Sequence, residues 1–204
     1  MNKQSLRDFK REATGHALSE AAFELAMERG LDGFIVEDVV QRAGYSRRTF
    51  ANHFSCKEEA VATALYPHHH DEEAESLLSD LPEDATPINV LYQLMKAQFT
   101  ADMFRRMRDL LALSKRYPTL EPFVLSVFRR LQIEGHKTLD SLFQSRYPEG
   151  YSHILIGAVY GAILPVIDGS LNVLLPGDSP VESPGAATFD QYLDMTFGYL
   201  RSGF

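Results

Sequence analysis

Apolar residues recur at helical spacing along most of this chain. Near the N-terminus, one face of a helix predicted over residues 5–29 carries Leu18, Ala21, Ala22 and Leu25. Much later the same spacing returns at Leu120, Phe123, Val124, Val127, Phe128 and Leu131. No segment alternates apolar and polar residues as a half-buried strand would. The pattern therefore predicts an all-α fold.

Residues 36–54 predict two short helices joined by a tight turn. Apolar residues on one face of the first helix are Val36, Val39, Val40 and Ala43. Gly44 then supplies a backbone that can reverse direction, and the Ser46 hydroxyl can cap a second helix. Arg47, Arg48 and Thr49 stand at the N-terminal end of that helix, the end that a helix-turn-helix inserts into the major groove.

The remaining boundaries follow from caps, prolines and periodicity. Ser55 and Glu58 have capping-box spacing, which predicts a fourth helix from Ser55 to about Tyr66, where Pro67 interrupts it. Further helices are predicted over 68–79, 88–103, 104–116, 119–145, 150–174 and 187–202, with loops over 81–87 and 176–185. We divide the chain into a head (1–55), a connecting helix (56–66) and a larger helical domain (67–204).

Charge does not exclude nucleic acid as a partner of the head. The net charge is −8, but residues 1–60 hold nine basic and ten acidic side chains, whereas residues 61–204 hold eleven and eighteen. A nearly neutral head can bind DNA if its cations converge on one surface.

Cysteine usage and hydropathy indicate the compartment. The single Cys56 excludes an intrachain disulfide and fits a reducing environment. The chain begins without a signal-peptide pattern, and its longest apolar stretch, 153–167, is shorter than the roughly 20 residues of a membrane span. We therefore expect a soluble cytoplasmic protein with no membrane partner.

A run of short motifs resembles one family. In order and at fixed spacing the chain has Ala21-Ala-Phe-Glu-Leu, Glu28-Arg-Gly30, Val36-Glu-Asp38, Ala43-Gly44, Ser46-Arg-Arg-Thr-Phe50, His53-Phe54 and Lys57-Glu58. Over residues 7–62 it thus resembles the TetR family of bacterial transcriptional regulators. The resemblance implies a homodimer on a palindromic DNA operator. It also implies that the helical domain binds a small effector and mediates dimerisation.

The resemblance also assigns DNA-contacting residues. The recognition helix would run from Arg47 to His53, with the two arginines on guanine edges or phosphates. Lys10 and Arg11 would meet the backbone or minor groove, and Lys57 would grip a phosphate. The full predicted set is Lys10, Arg11, Tyr45, Ser46, Arg47, Arg48, Thr49, Asn52, His53 and Lys57.

The chain departs from the family pattern in three respects. Phe34 and Ile35 stand where a capping Thr or Ser is usual, and Ala51 stands where Tyr commonly contacts phosphate. Val40 replaces a small Ala between the two helices. We expect these changes to lower non-specific DNA affinity without removing the fold.

Aromatic and methionine side chains mark either a ligand pocket or an ordinary core. The candidates are Phe99, Met103, Phe104, Met107, Phe123, Phe128 and Tyr160. Such a stripe commonly forms plain core. If it lines a cavity, its apolar character favours a hydrophobic or aromatic effector.

Small residues mark a candidate dimer interface. Gly157, Ala158, Gly161 and Ala162 share one flank of a helix and permit close approach of another. We pair that helix with the last one through Tyr192, Thr196, Phe197 and Leu200, as half of an intermolecular four-helix bundle. The alternative is burial of these residues inside one subunit.

His68-His69-His70 invites a metal assignment that we do not make, because adjacent histidines splay around a helix and do not converge on one ion. No cofactor is predicted.

These expectations combine into a ligand-responsive repressor with no chemistry of its own. An activator or a ligand-independent regulator of the same fold is the alternative. A helical enzyme or small-molecule carrier is disfavoured, because the chain contains no H-E-x-x-H, G-x-S-x-G or phosphate-loop motif.

Overall fold

The computed structural model describes residues 6–66, 78, 81–82, 84–143, 146–148, 150–179 and 185–202. Within these ranges the secondary structure consists of α-helices, two short 3₁₀ turns and one pair of two-residue strands. The predicted all-α class is confirmed. The helix predicted over 68–79, with His68 to His70, falls almost wholly outside the described residues.

We number the helices of the described part in chain order. They are α1 (Leu6–Arg29), α2 (Val36–Ala43), α3 (Arg47–Ala51), α4 (Lys57–Thr63), α5 (Pro87–Gln98), α6 (Ala101–Arg116), α7 (Glu121–Phe143), α8 (Tyr151–Ile167) and α9 (Phe189–Ser202). The 3₁₀ turns are Leu31–Gly33 and Pro118–Leu120. None of the helices in the described part combines the length and apolar character that crossing a bilayer requires.

The chain forms two compact units. The first unit comprises Met1–His69 with Asp109–Phe128, and the second comprises His70–Arg108 with Arg129–Phe204. The C-terminal half of α6 and the first two turns of α7 therefore belong to the same unit as the N-terminal helices.

In the first unit, α1 is the helix on which the others pack. It contacts α2 and α4, and the side chains of Leu18 and Leu25 on α1, Val39 on α2 and Val61 on α4 are almost completely buried. Full burial of such a side chain contributes about 1.5–3 kcal/mol. Leu120 of the second 3₁₀ turn is also fully buried, in a region that packs on α4.

A forked ion pair fixes α2 against α1. Arg42 Nη1 donates to Glu28 Oε1 at 2.8 Å, and Arg42 Nη2 donates to Glu28 Oε2 at 2.6 Å. The hydrogen bond from Arg42 holds the pKa of the Glu28 carboxyl below its usual value. This planar, two-point contact restricts the orientation of α2 more than a single bond would.

Lys57 joins α4 to the segment that precedes α2. Its Nζ donates to the carbonyl oxygens of Leu31, at 2.6 Å, and Phe34, at 2.8 Å. The same ammonium lies 4.9 Å from the centre of the Phe34 ring. Two partly buried carbonyls thereby gain a charged donor, and the start of the helix-turn-helix is tied to α4.

The fourth helix, predicted from Ser55 to about Tyr66, runs from Lys57 to Thr63, and its cap is one residue later than predicted. Cys56 is its N-cap, and the Cys56 sulfur accepts from the Glu59 N–H at 3.5 Å. The reciprocal contact comes from Glu59, whose Oε2 accepts from the Ser55 N–H and from the Ser55 hydroxyl, each at 2.7 Å. The carboxylate that serves the cap is thus Glu59 rather than Glu58.

Two helix boundaries in the second unit also differ from prediction, and one pair of short strands was not predicted. The break predicted after residue 103 lies at Phe99 and Thr100, because the Thr100 hydroxyl accepts from the Met103 N–H at 3.2 Å and caps α6. The helix predicted to reach residue 174 ends at Ile167, before Gly169 adopts φ +79°. Val173–Leu174 then pairs in parallel with Ala187–Thr188. Two-residue strands are too short to show an alternating pattern.

Aromatic and close backbone contacts build the second unit. The rings of Phe99, Phe104 and Phe189 cluster with centroids 4.6–5.7 Å apart. Gly135 of α7 lies against Ile156 of α8, where an added Cβ would be 3.0 Å from the Ile156 side chain. The cluster brings the start of α9 against the α5–α6 junction.

We predict that Gly30→Ala destabilises the protein by about 3 kcal/mol or more, and that Gly44→Ala costs about 1–2 kcal/mol. Gly44 has φ +74° and ψ 29°, and an added Cβ would meet open space. Gly30 has φ +73° and ψ 165°, a region essentially limited to glycine, and its Cβ would collide with the Tyr117 hydroxyl. Urea unfolding measures both. Adding Tyr117→Phe to Gly30→Ala should recover the part due to the hydroxyl, and equal losses for the two glycines would contradict the assignment.

We predict that Lys57→Met lowers the free energy of unfolding by about 2–3 kcal/mol, because two partly buried carbonyls lose a charged donor while the aliphatic stem is retained. Lys115→Met, at an exposed position of α6, is the control and should change stability by less than about 0.5 kcal/mol. Thermal and urea unfolding provide the comparison. Equal behaviour of the two variants would show that the Lys57 contacts do not stabilise the fold.

Candidate nucleic-acid interface

The turn between α2 and α3 depends on Gly44. Its left-handed backbone ends α2, and the N–H of Tyr45 donates to the Val40 carbonyl at 2.9 Å. Ser46 then starts α3, since its Oγ accepts from the Thr49 N–H at 3.0 Å. The Ser46 cap predicted from the sequence is confirmed. The hydroxyls of Ser46 and Thr49 also lie 2.8 Å apart and share a hydrogen bond.

The start of α2 has only half of a capping arrangement. Ile35 occupies the cap position and offers no side-chain acceptor. In the other direction, Asp38 Oδ2 accepts from the Ile35 N–H at 2.9 Å. The sequence already showed that no hydroxyl caps this helix. The only side-chain hydrogen bond at the described N-terminus of α2 is therefore the one that Asp38 accepts from within the first turn.

Two phenylalanines set which face of α3 points outward. Phe50 is 3 % exposed and Phe54 is 8 % exposed, with ring centroids 5.6 Å apart. Their i, i+4 spacing in the sequence predicts that both point into the core, and the structure confirms this. The exposed residues around this anchored helix are Tyr45, Ser46, Arg47, Arg48, Ala51 and Asn52.

The two arginines of α3 have different surroundings. Arg47 Nη1 lies 2.7 Å from Glu37 Oε1 of α2, although its side chain is 77 % exposed. Arg48 is exposed and makes no ion pair or side-chain hydrogen bond with any residue in the described ranges. Two adjacent cations that look equivalent in the sequence are therefore in different electrostatic states.

His53 and the start of α1 come together near the end of α3. An added Cβ on Gly15 of α1 would lie 3.2 Å from His53 Nδ1, so the imidazole packs on α1. Burial lowers the pKa of His53, and the positive charge of Arg11 lowers it further. The imidazole is consequently neutral near pH 7. Lys10 and Arg11 are exposed on this part of α1.

Lys57 was predicted to bind a DNA phosphate, but its ammonium makes hydrogen bonds within the first unit. Two of its three N–H donors serve the Leu31 and Phe34 carbonyls. A phosphate contact by Lys57 stays a prediction, and such a contact would have to share this ammonium.

The sequence did not indicate the acidic partners of this surface. Glu37 of α2 forms an ion pair with Arg47, and Glu28 of α1 forms one with Arg42. Glu37 and Arg47 are ten positions apart in different helices, so no local spacing rule links them. Only the angle between α2 and α3 brings them together.

The predicted pocket residues divide between the two units. Phe99 and Phe104 join Phe189 in the aromatic cluster, and Met107 is buried in the same unit. Met103 and Tyr160 are half-buried in the second unit, and Phe123 and Phe128 are half-buried in the first. Phe189 was not in the predicted set, because the sequence placed it on the terminal helix.

The predicted interface residues include both exposed and buried positions. Gly157 and Gly161 are exposed, and a Cβ on either would meet open space, while Ala158 and Ala162 are half-buried. On α9, Thr196 and Leu200 are half-buried and Phe197 is fully buried against Tyr92. The Tyr192 hydroxyl donates to the Ala162 carbonyl at 2.9 Å, which joins α8 to α9 within one chain.

Two solved structures share the fold. A transcriptional regulator from Rhodococcus sp. Rha1 is 23% identical, with a TM-score of 0.50 over 93% of this chain and 96% of the other. A TetR-family transcriptional regulator from Mesorhizobium loti, named as putative, is 17% identical, with a TM-score of 0.52 over 93% of this chain and 95% of the other. At these identities the similarity establishes the fold alone. No curated protein matches this chain.

The N-terminal helices match a family model. Residues 18–62 match the model described as bacterial regulatory proteins, tetR family. This segment contains the last turns of α1, the whole helix-turn-helix and α4, which are the elements that position Arg47 and Arg48. Over these residues the chain resembles the TetR family of bacterial regulatory proteins, as the sequence motifs predicted.

Proposed function

We propose that this TetR-family DNA-binding regulator represses transcription as a homodimer on a palindromic operator and is released by a small hydrophobic or aromatic effector. It acts in the cytoplasm without catalysing a reaction. Residues 1–55 form the DNA-binding domain, 56–66 the connecting helix, and 67–204 the effector-binding and dimerisation domain. An activator, or a regulator that needs no effector, would use the same surfaces.

The observation that carries this proposal is the outward face of α3. Phe50 and Phe54 bury the inner face, and the N-terminal end presents Arg47 and Arg48 to solvent. A helix end with two guanidinium groups suits the major groove, because each guanidinium can donate two hydrogen bonds to guanine O6 and N7 or to phosphate oxygens.

Other cations extend this surface. Lys10 and Arg11 are exposed on α1, and Arg11 is one helical turn from Gly15, on which His53 packs just after the end of α3. Neutral polar groups at Ser46, Thr49 and Asn52 add hydrogen-bonding capacity. We assign the α1 cations to the DNA backbone and the arginines at the start of α3 to base edges or phosphates.

Dimerisation is supported by a row of exposed apolar and glycine residues along one face of α8. Ile154, Gly157, Gly161 and Leu164 recur every three or four residues and are all exposed, with Ile154 75 % exposed. Open space above both glycines would admit a second helix at close range. Met195 and Tyr199 of α9 add exposed apolar surface. We omit Phe197 from the interface, because it has no exposed surface for a partner chain.

Effector release is supported by the apolar interior of the second unit. The rings of Phe99, Phe104 and Phe189 cluster with centroids 4.6–5.7 Å apart, so a ligand that enters between them would be hydrophobic or aromatic. Two bound heads must match successive major grooves about 34 Å apart. An effector that favours another spacing by about 1–3 kcal/mol would change operator occupancy.

We predict that Arg48→Ala weakens binding to a duplex selected by the wild-type protein from a random-sequence library by about fivefold to 100-fold. The guanidinium is exposed and ready to contact base or phosphate. Lys137→Ala removes the same charge from an exposed site on α7 in the second unit and is the control. Fluorescence anisotropy measures both affinities. Failure of the wild-type protein to bind DNA at low salt would contradict the proposed function.

We predict that the wild-type protein sediments at twice the 23.0 kDa chain mass and that Gly161→Arg sediments as a single chain. Open space above Gly161 should let the variant fold, while the arginine blocks helix approach. Ala112→Arg, at an exposed position of α6, is the matched control and should remain dimeric. Circular dichroism checks that all three proteins are folded. A dimeric Gly161→Arg would place the interface elsewhere.

A further inference from the structure

We infer that Glu37 is a specificity-determining residue that directs Arg47 toward base edges and away from phosphates. The inference rests on the proposed DNA-binding function. Its starting observation is that Glu37 Oε1 of α2 lies 2.7 Å from Arg47 Nη1 of α3, so the first side chain of α3 carries its own counter-anion.

The position of the Glu37 carboxylate is set by the fold. Glu37 is in the first turn of α2, where a negative charge is favoured by the helix dipole. The left-handed Gly44 turn and the buried Phe50 fix α3 relative to α2, and the Glu28–Arg42 fork fixes α2 relative to α1. The carboxylate is therefore held beside α3 by backbone geometry, not by its own side chain alone.

Hydrogen-bond capacity permits Arg47 to keep Glu37 while it reads a base. A guanidinium has five N–H donors, and Glu37 engages the Nη1 end. The remaining donors are enough for the O6 and N7 acceptors of guanine. One arginine can thus be held on one side and read a base with the other.

Charge makes the same arrangement unfavourable for phosphate. A phosphate oxygen approaching Arg47 also approaches the Glu37 carboxylate, and the like charges repel. Guanine acceptors carry no net charge and meet little of this repulsion. Glu37 therefore penalises backbone contacts, which carry no sequence information, more than base contacts.

Arg48 provides the internal contrast. It makes no ion pair with any other described residue, so its full charge is available to phosphate. Adjacent arginines would then divide the work, with Arg48 supplying attraction and Arg47 supplying discrimination. Since the Glu37 side chain is 49 % exposed, water screens the pair and the effect is modest, about two- to fivefold in affinity.

The test compares wild type, Glu37→Gln, Arg47→Gln and the double variant on two duplexes of equal length. One duplex has random sequence, and the other is selected by the wild-type protein. Anisotropy titrations over a range of salt concentrations give affinity and salt slope. Asp32→Asn removes an exposed acid of the same unit that forms no ion pair with any described residue, and it controls for net charge.

We expect Glu37→Gln to bind the random duplex about two- to fivefold tighter than Asp32→Asn does, with a salt slope steeper by about one phosphate contact. Its affinity for the selected duplex should be unchanged or weaker, so the ratio of the two affinities falls. In the Arg47→Gln background, Glu37→Gln should change nothing beyond the Asp32→Asn control.

Three results would overturn the inference. Equal tightening on both duplexes would show simple charge repulsion, and an undiminished effect without Arg47 would show that the ion pair is irrelevant. An unchanged affinity ratio in a folded Glu37→Gln protein that binds DNA would remove the role of Glu37 and leave the proposed function intact. Wild-type protein that binds neither duplex at low salt would overturn the proposed function itself.

Discussion

Helix α3, the proposed recognition helix, is five residues long, and burial of Phe50 holds it in place. Isolated helices of fewer than about 12 residues are marginal in water, so α3 owes its conformation to the Ser46 cap and to contact with the rest of the first unit. Every exposed side chain on α3 takes its direction from that anchoring. The surface proposed to face DNA is therefore a property of the whole first unit, and loosening α1 or α4 would disturb it.

Cations divide between building this unit and facing solvent. Arg42 is taken by Glu28, and Lys57 by two backbone carbonyls. Arg47 is shared with Glu37, whereas Arg48 stays outside any ion pair in the described part. A count of basic residues in the sequence therefore overstates the positive charge that a duplex would meet. In a chain whose net charge is −8, the few cations that remain unpaired therefore matter most for attraction to a duplex.

Local patterns in the sequence were enough to predict the helix-turn-helix. The turn at Gly44, the cap at Ser46 and the buried pair Phe50 and Phe54 each follow from one residue type or one helical period. Contacts between distant positions were not predictable in this way, as the Glu37–Arg47 and Glu28–Arg42 pairs show. The two-residue strands were missed because they carry no period. The α4 cap was misplaced because Cys56 and Ser55 both offer a side-chain acceptor, and only the three-dimensional structure shows which one accepts.

Departures from the family pattern point in one direction under the proposed function. Ala51 exposes a methyl group where tyrosine commonly contacts phosphate, and Ile35 offers no hydroxyl at the start of α2. Glu37, which belongs to the matching motif Val36-Glu-Asp38, places a carboxylate beside the first arginine of α3. Ala51, Ile35 and Glu37 each weaken attraction to the DNA backbone and leave the base-reading end of α3 in place. Discrimination depends on the difference between specific and non-specific binding, so a head with a weak grip on phosphate can remain selective even when its total affinity is low.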